Sequence, residues 1–352
     1  MPMNYHATVA LIRSAYGHRL RAADYRNLVN LHSVSEVVSY LKGTAAYGEL
    51  LAGLEPGYTH RGHLEMLLKR NLFTQCLHFC SLERLSQKPF FRFFIYEYEI
   101  RELFKAIQLG DQDYISSMDT WLAPYLCFKQ EKLARAGTNA ALLDAVAGTP
   151  YAPILKRYLP RDDSVQTPAQ IPYTELEIAL RTDCLNRILK EAEQTMHGDD
   201  LEALRGLIGE QVDLINLINA YRLKSVFRAD RQTLDSMMLP IAGKLPRRIC
   251  QALYAAPDKA AFEAVLAETR YGRMLSDLPD IPDAVRVERA FQTLRWRTAR
   301  NALHFSGHAA VSLYAVHCLN QIEVQNLIAV IEGIRYQKPV SYIRSLLIVD
   351  PT

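Results

Sequence analysis

The chain has 352 residues, of which 49% are hydrophobic and 22% charged, the composition of a soluble globular protein. Its 41 basic and 38 acidic residues leave a net charge of +3, too balanced for the concentrated basic surface of a nucleic-acid-binding protein. No segment approaches the roughly 18 apolar residues of a membrane-spanning helix, and the first residues lack the apolar core of a signal peptide. The 6 cysteines lie in apolar helical context, so we expect reduced thiols.

Most of the chain has apolar residues at three- and four-residue spacing, which predicts an all-α protein. The clearest helical segments are "HLEMLLKRNLFTQCLHF", "TELEIALRTDCLNRILKEAE" and "DAVRVERAFQTLRWRTARNALH". Glycine and proline gather at "AGLEPGYTHRG", "LPRDDSVQTPAQIP" and "SDLPDIPD", which are predicted to be breaks between helices.

The first recurring element is a helix that ends in a tyrosine turn. Its three copies are "VVSYLKGTAAYGELL", "LLDAVAGTPYAPIL" and "AFEAVLAETRYGRML". The alignment superimposes Tyr47, Tyr151 and Tyr271, and the first copy has one extra residue between its threonine and its tyrosine. A recurrence of this kind predicts repeated structural units.

Two more helical elements follow each tyrosine turn in the same order. The first has an early glutamate, at Glu65, Glu177 and Glu288. The second occurs as "YEIRELFKAI", "VDLINLINAY" and "IEVQNLIAVI". It aligns the acids Glu99, Asp213 and Glu323 and, three residues later, Glu102, Asn216 and Asn326.

The spacing of these elements supports the alignment independently of residue similarity. The early glutamate precedes the later acid by 34, 36 and 35 residues in the three copies, and it follows the tyrosine by 18, 26 and 17 residues. The excess of the middle copy falls in a proline-containing loop, where insertions are tolerated. We therefore predict three helical repeats, over residues 1–118, 119–232 and 233–352. Such repeats can stack as a solenoid or close around a pseudo-threefold axis.

The repeated acid sits in an apolar helix, where an unpaired carboxylate would cost several kcal/mol. One interpretation is that each acid complements the dipole at a helix end. The other is that three repeats close on each other and the acids face a shared, wet interior, in which none of them is truly buried.

No motif for catalysis, cofactor binding or metal binding emerges from the sequence. It contains neither GxxxxGK[ST] nor GxGxxG, so nucleotide binding is not expected. His304 and His308 lack the glutamate of the zinc-hydrolase motif, and Cys76 and Cys80 lack a second pair of ligands, so these residues are expected to be structural. None of the 10 histidines follows a glutamate by three residues, which excludes the usual di-iron pattern. A mechanical or binding role is favoured.

With its three tyrosine turns, its glutamate helices, "VDLINLINAYRLKS" and "MLPIAGKLPRRICQAL", the sequence resembles the C subunit of V/A-type rotary ATPases, the counterpart of the V-ATPase d subunit. The resemblance extends from about Tyr5 to the end of the chain. Glu102 departs from the asparagine of the other two copies, and the N-terminal helix matches only loosely.

The resemblance implies a funnel of three helical domains around a pseudo-threefold axis, and a non-catalytic socket without cofactors. One end would sit on the membrane proteolipid ring and the cavity would receive the central shaft, which places the protein at the cytoplasmic face of the membrane. We expect partner binding in the cavity by Glu99, Asp213, Asn216, Glu323 and Asn326. Aromatic residues of "KPFFRFFIYEYE" are candidates for the rim, although core packing is favoured for most of them. The alternative is a helical-repeat scaffold for another cytoplasmic protein.

Overall fold

The computed structural model describes residues 5–159, 171–227, 229–275 and 283–349. Within these residues the chain is helical and has no β-strand, which confirms the all-α prediction. The α-helices are α1 (His6–Gly17), α2 (Ala22–Leu28), α3 (Val34–Lys42), α4 (Gly48–Leu51), α5 (Arg61–Ser81), α6 (Phe93–Ser117), α7 (Gln130–Leu133), α8 (Asn139–Ala145), α9 (Ala152–Tyr158), α10 (Tyr173–Thr195), α11 (Gly198–Arg222), α12 (Arg231–Met237), α13 (Arg247–Ala255), α14 (Lys259–Ala267), α15 (Arg270–Leu275), α16 (Asp283–Phe305), α17 (Ala309–Arg335) and α18 (Val340–Leu346). Short 3₁₀ segments cover Pro56–Tyr58, Leu82–Gln87, Pro89–Arg92 and Thr120–Leu122, and a π-helical turn covers Leu223–Phe227.

Three hairpins of long helices form the frame of the molecule: α5 with α6, α10 with α11, and α16 with α17. In each hairpin the first helix carries the early glutamate and the second carries the repeated acid. The second helix of each hairpin packs against the first helix of another: α6 against α10, α11 against α16, and α17 against α5.

Several short helices begin where the sequence supplies a capping residue. Ser33, Thr138, Asp230 and Asp258 each accept a hydrogen bond from a backbone N–H of the first turn that follows. These side chains satisfy donors that a helix N-terminus leaves unpaired, and each contributes about 1 kcal/mol to stability.

The hydrophobic cores cross the predicted repeat boundaries. The short helices of the third repeat, with Phe262 and Tyr271, pack on the C-terminal half of α11 around Leu217. Those of the first repeat, with Leu41, pack on the C-terminal half of α17 around Leu327. The first short helices of the chain are therefore held by its last long helix, and burying each such side chain contributes about 1.5–3 kcal/mol.

The aromatic segment "KPFFRFFIYEYE" lies in the largest core, as the packing interpretation expected. Phe90, Phe91 and Phe93 are at most 1% exposed. Phe73 of α5 contacts Phe94 and three further rings edge to face, with centroids 5.0–5.2 Å apart. Edge-to-face aromatic contacts of this kind stabilise a core beyond their buried area.

Of the three predicted breaks, "AGLEPGYTHRG" separates α4 from α5. Most of "LPRDDSVQTPAQIP" and "SDLPDIPD" lies outside the described residues, at 160–170 and 276–282. The predicted boundary at residue 118 follows α6 directly, whereas residue 232 falls inside α12, and both boundaries stay predictions. Among the described residues, no helix combines the length and the hydropathy needed to cross a membrane.

Candidate functional site

Each repeated acid accepts a hydrogen bond from one of the repeated tyrosines. The hydroxyl-to-carboxylate distances are 2.7 Å from Tyr151 to Glu99, 2.7 Å from Tyr271 to Asp213 and 2.8 Å from Tyr47 to Glu323. Two sequence elements that the repeat analysis found separately are thus direct partners in the structure.

Backbone N–H groups complete the surroundings of each acid. Asp213 accepts from the N–H groups of Lys244 and Leu245 at 2.8 and 2.9 Å. Glu99 accepts from the N–H of Cys127 at 2.8 Å, and Glu323 from that of Leu20 at 3.2 Å. A buried carboxylate that accepts two or three hydrogen bonds avoids most of the cost of an unpaired charge.

The tyrosine turns are built by a threonine that closes the preceding helix. The hydroxyl groups of Thr44, Thr149 and Thr269 each donate to a carbonyl three residues earlier, at 2.7, 2.7 and 2.6 Å. This local hydrogen bond ends the helix and leads the chain into the turn that carries the tyrosine. The extra residue of the first copy leaves the hydrogen bond intact.

The acid and its tyrosine belong to different predicted repeats. Glu99 of the first repeat binds Tyr151 of the second, and Asp213 of the second binds Tyr271 of the third. Glu323 of the third binds Tyr47 of the first, across 276 positions of sequence. Contacts of one kind therefore join the first repeat to the second, the second to the third, and the third to the first.

The residue three positions after each acid also has internal partners. The side-chain amide of Asn216 forms two hydrogen bonds with the backbone of Leu239. It accepts from the N–H at 2.8 Å and donates to the carbonyl at 3.1 Å. Asn326 forms the same two bonds with the backbone of Ile348, accepting from its N–H at 2.9 Å and donating to its carbonyl at 2.7 Å. Glu102, which replaces the asparagine, instead accepts from Gln130 at 2.7 Å and from Lys105 at 2.7 Å. Glu102 thus bonds to side chains, whereas the two asparagines at the equivalent position bond to backbone groups.

Burial perturbs the titration of these groups. It raises the pKa of Asp213, although hydrogen bonds from Tyr271, Leu245 and Lys244 oppose the shift. It raises the pKa of Glu323 to about 7. Burial and the adjacent carboxylate also raise the pKa of Tyr271, so its hydroxyl stays protonated and able to donate.

A cavity of about 670 Å³ lies among the three long hairpins and has lining residues from all six helices. Four positions line the cavity on all three acid-bearing helices: two residues before the acid and one, two and five residues after it. They are Glu97, Ile100, Arg101 and Phe104 on α6, Gln211, Leu214, Ile215 and Ile218 on α11, and Gln321, Val324, Gln325 and Ile328 on α17.

Helix geometry explains this selection. At about 100° per residue, the four lining positions span an arc of about 100°, whose centre is about 150° from the acid. The acid and the residue three positions later lie on the opposite side of the helix. The expectation that Glu99, Asp213, Asn216, Glu323 and Asn326 face the cavity therefore needs correction. None of these five lines this central cavity, although Glu323 and Asn326 line a smaller one of about 340 Å³, and all five have hydrogen-bond partners elsewhere. Their role in binding a partner stays a prediction.

Around the cavity wall, the position two residues before each acid is polar, and the position one residue after it is apolar. Glu97, Gln211 and Gln321 occupy the equivalent position two residues before each acid. Although burial opposes it, the hydrogen bond and charge of His317 lower the pKa of Glu97 to about 2. The wall thus offers a charged carboxylate and two amides at equivalent places.

Sequence reasoning missed these lining residues, although the alignment contained a signal for them. A polar residue precedes each acid by two positions in all three copies. The acids attracted attention because an unpaired buried carboxylate is costly. Hydrogen bonds from the tyrosines and from backbone N–H groups offset that cost. These donors are distant in sequence, so no local pattern around the acid predicts them.

The smaller predictions also have structural outcomes. Cys76 and Cys80 are 2% and 1% exposed and lie in the core, as expected. The Nδ1 atom of His308 accepts a hydrogen bond from the N–H of Ala310 at 3.2 Å and caps α17, a structural role.

Comparisons with known proteins bear on this geometry. The family model of the ATP synthase (C/AC39) subunit matches residues 8–346. The C subunit of the A-type ATP synthase of Methanosphaera stadtmanae is 26% identical over 232 residues. That match covers 65% of this chain and 55% of the relative, so the chain spans about half the length of the curated relative.

The family match extends across nearly all of the chain, including the three acid-bearing helices and their tyrosine turns. It confirms the resemblance that the repeated motifs indicated. The chain belongs to the ATP synthase (C/AC39) subunit family, which comprises the C and d subunits of V/A-type rotary ATPases.

Proposed function

We propose that this protein is the non-catalytic central-stalk socket of a V/A-type ATPase or ATP synthase, which couples the rotor shaft to the membrane proteolipid ring. The observation that carries the proposal is the cavity of about 670 Å³ lined by all three long hairpins. Family membership also supports the proposal, because a subunit of a rotary ATPase with such a cavity could hold the shaft there. In that role the protein needs rigidity and shape rather than reacting groups.

The proposed architecture is a funnel of three helical repeats closed around a pseudo-threefold axis. Packing of α6 on α10, α11 on α16 and α17 on α5 supports it. So does the equivalent bonding of each acid to the tyrosine of another repeat. In a closed ring each unit is braced by two neighbours, which resists twisting better than an open solenoid.

The cavity would receive the base of the shaft, and one rim would sit on the ring. Exposed apolar side chains at the C-terminal ends of the acid-bearing helices support that end as the ring-facing rim. Ile115 is 52% exposed, Phe227 71% and Tyr336 59%. An exposed apolar side chain recurs at this end of all three units, and it would suit a protein contact at the membrane boundary. The protein would then be peripheral, at the cytoplasmic face, held there by its protein partners.

Recovery of the complex from membranes tests the proposal. A tagged form of the chain, isolated from native membranes in mild detergent, should copurify with both the ring proteolipid and the shaft subunits, as identified by mass. The tag alone, expressed in the same cells, is the control. Recovery of the chain without either partner, from cells that make both, would contradict the proposal and favour the scaffold alternative.

A further inference from the structure

We propose that the cavity receives a carboxylate-bearing protein segment, and that Arg101 and Arg295 bind its acidic side chains. The inference rests on the proposed socket function and specifies the chemistry of the shaft segment that enters. It is carried by the charge balance of the wall, by an unpartnered donor atom, and by the size of the cavity.

The described cavity wall has more basic than acidic side chains. Its ionised groups are Lys69, Arg101, Arg181, Arg295, Glu97 and Glu177. Glu177 pairs with Arg181 at 2.7 Å, Lys69 lies 3.8 Å from Glu65, and Glu97 interacts by charge with both Arg101 and Arg295, so that the four basic groups exceed these three acids by one positive charge. A wall of this kind attracts an occupant with carboxylates.

Arg101 is the more accessible of the two arginines, both of which interact by charge with Glu97. It is exposed on the cavity face of α6, with its guanidinium 4.6 Å from the ring centroid of Tyr98. Among the described side chains, no carboxylate lies within 4 Å of its nitrogens. Stacking on an aromatic ring orients the planar fork of an arginine and leaves its edge free to bind a carboxylate in bidentate fashion.

Arg295 lies deeper in the wall, on α16. One of its terminal nitrogens donates to Gln321 at 2.6 Å, whereas its Nε atom is buried with no hydrogen-bond partner among the described residues. The Oε1 atom of Gln292, close to one turn earlier on the same helix, is also buried without such a partner. An unpaired buried polar atom costs about 1–3 kcal/mol. Both side chains would have to turn toward the cavity for these atoms to bond to an occupant.

The size of the cavity limits what can enter. A helix is about 10 Å across, and a space of about 670 Å³ suits the end of such a helix or a loop. The apolar lining residues Leu214, Ile218 and Val324 favour an amphipathic protein segment over a small anion. The structure thus assigns the site to the tip of a shaft segment rather than to its full width.

Binding of the purified shaft subunit to Arg101 variants tests the inference. Titration calorimetry should show about tenfold weaker binding for Arg101→Gln and a larger loss for Arg101→Glu, because a charged hydrogen bond is removed or reversed. Added salt should weaken wild-type binding more than binding to Arg101→Gln. Arg248→Gln, on the outer helix α13 and also exposed, is the matched control and should bind like wild type.

The outcomes separate the inference from the proposed function. Equal affinity and equal salt dependence for wild type and both Arg101 variants would overturn the inference and leave the socket standing. No binding of the shaft subunit by wild type would overturn both. Succinate is the probe for a small-anion site. A rise in melting temperature with succinate alone that disappears in Arg101→Gln would also overturn the inference.

Discussion

At the scale of single residues, the acids of the three long helices are structural hydrogen-bond acceptors. Asp213 is 4% exposed, and its Oδ2 atom accepts from one hydroxyl and two backbone N–H groups. Glu99 is 1% exposed and has a hydroxyl and one N–H as donors. These bonds explain how charged residues persist in apolar helices, since each donor offsets part of the desolvation cost.

Glu323 should make stability depend on pH. Burial raises its pKa to about 7 from an ordinary 4.5, and Asp24 raises it slightly while Arg19 lowers it. Between those two pKa values the folded state holds a proton that the unfolded chain has released. The contribution of Glu323 to stability should therefore be full below pH 4.5 and be lost as the pH rises through 7.

Glu323→Gln should flatten this dependence, because an amide does not titrate. Urea unfolding at pH 5 and pH 8 should show a larger loss of stability for wild type than for Glu323→Gln. The exposed Glu131→Gln on α7 is the control and should lose as much as wild type. Parallel stability curves for wild type and Glu323→Gln would show that this carboxyl does not titrate near neutrality.

At the scale of helices and loops, the acid sites need close approach of the chain. The Cβ atom of an alanine at position 243 would lie 1.8 Å from Oδ1 of Asp213, so the loop that carries the Lys244 and Leu245 N–H groups runs against the carboxylate. Only glycine leaves room there, as is common where backbone approaches another group closely.

Gly243→Ala should destabilise the protein by about 2–4 kcal/mol, because the loop must move away and leave the buried carboxylate short of donors. Chemical denaturation measures this change. Gly53→Ala is the control, since an added Cβ there meets nothing within 4 Å. A loss for Gly243→Ala no larger than that of the control would mean that the loop adapts without losing its hydrogen bonds.

Helix periodicity predicted the long helices, and repeat spacing aligned the acids with one another and the tyrosines with one another. Neither pattern contained the pairing of Glu323 with Tyr47, because residues 276 positions apart meet only through tertiary packing. The direction of each acid was misassigned for a related reason. In an apolar helix buried on several sides, the residue types around Asp213 do not reveal which side is a cavity and which is a neighbouring loop.

At the scale of the whole molecule, one bonding pattern is used three times. The last long helix, α17, holds the first short helices through Leu327 and its neighbours and through Glu323. Because the two ends of the chain are joined in this way, load applied to one unit is shared with the other two. The cavity lies where the three long hairpins meet, and its wall differs from unit to unit in charge, with Arg101, Ile215 and Gln325 at equivalent positions. An occupant would therefore bind in one orientation.

The proposed function requires that the inner wall of the cavity bind the rotor shaft. Photo-crosslinking in the assembled complex tests it most directly, with a benzophenone amino acid placed at Gln325 on the exposed inner wall or at Arg248 on an outer helix. We expect a crosslink to the shaft subunit from position 325 and none from position 248. A shaft crosslink from position 248 alone would place the shaft outside the cavity and contradict the proposed socket function.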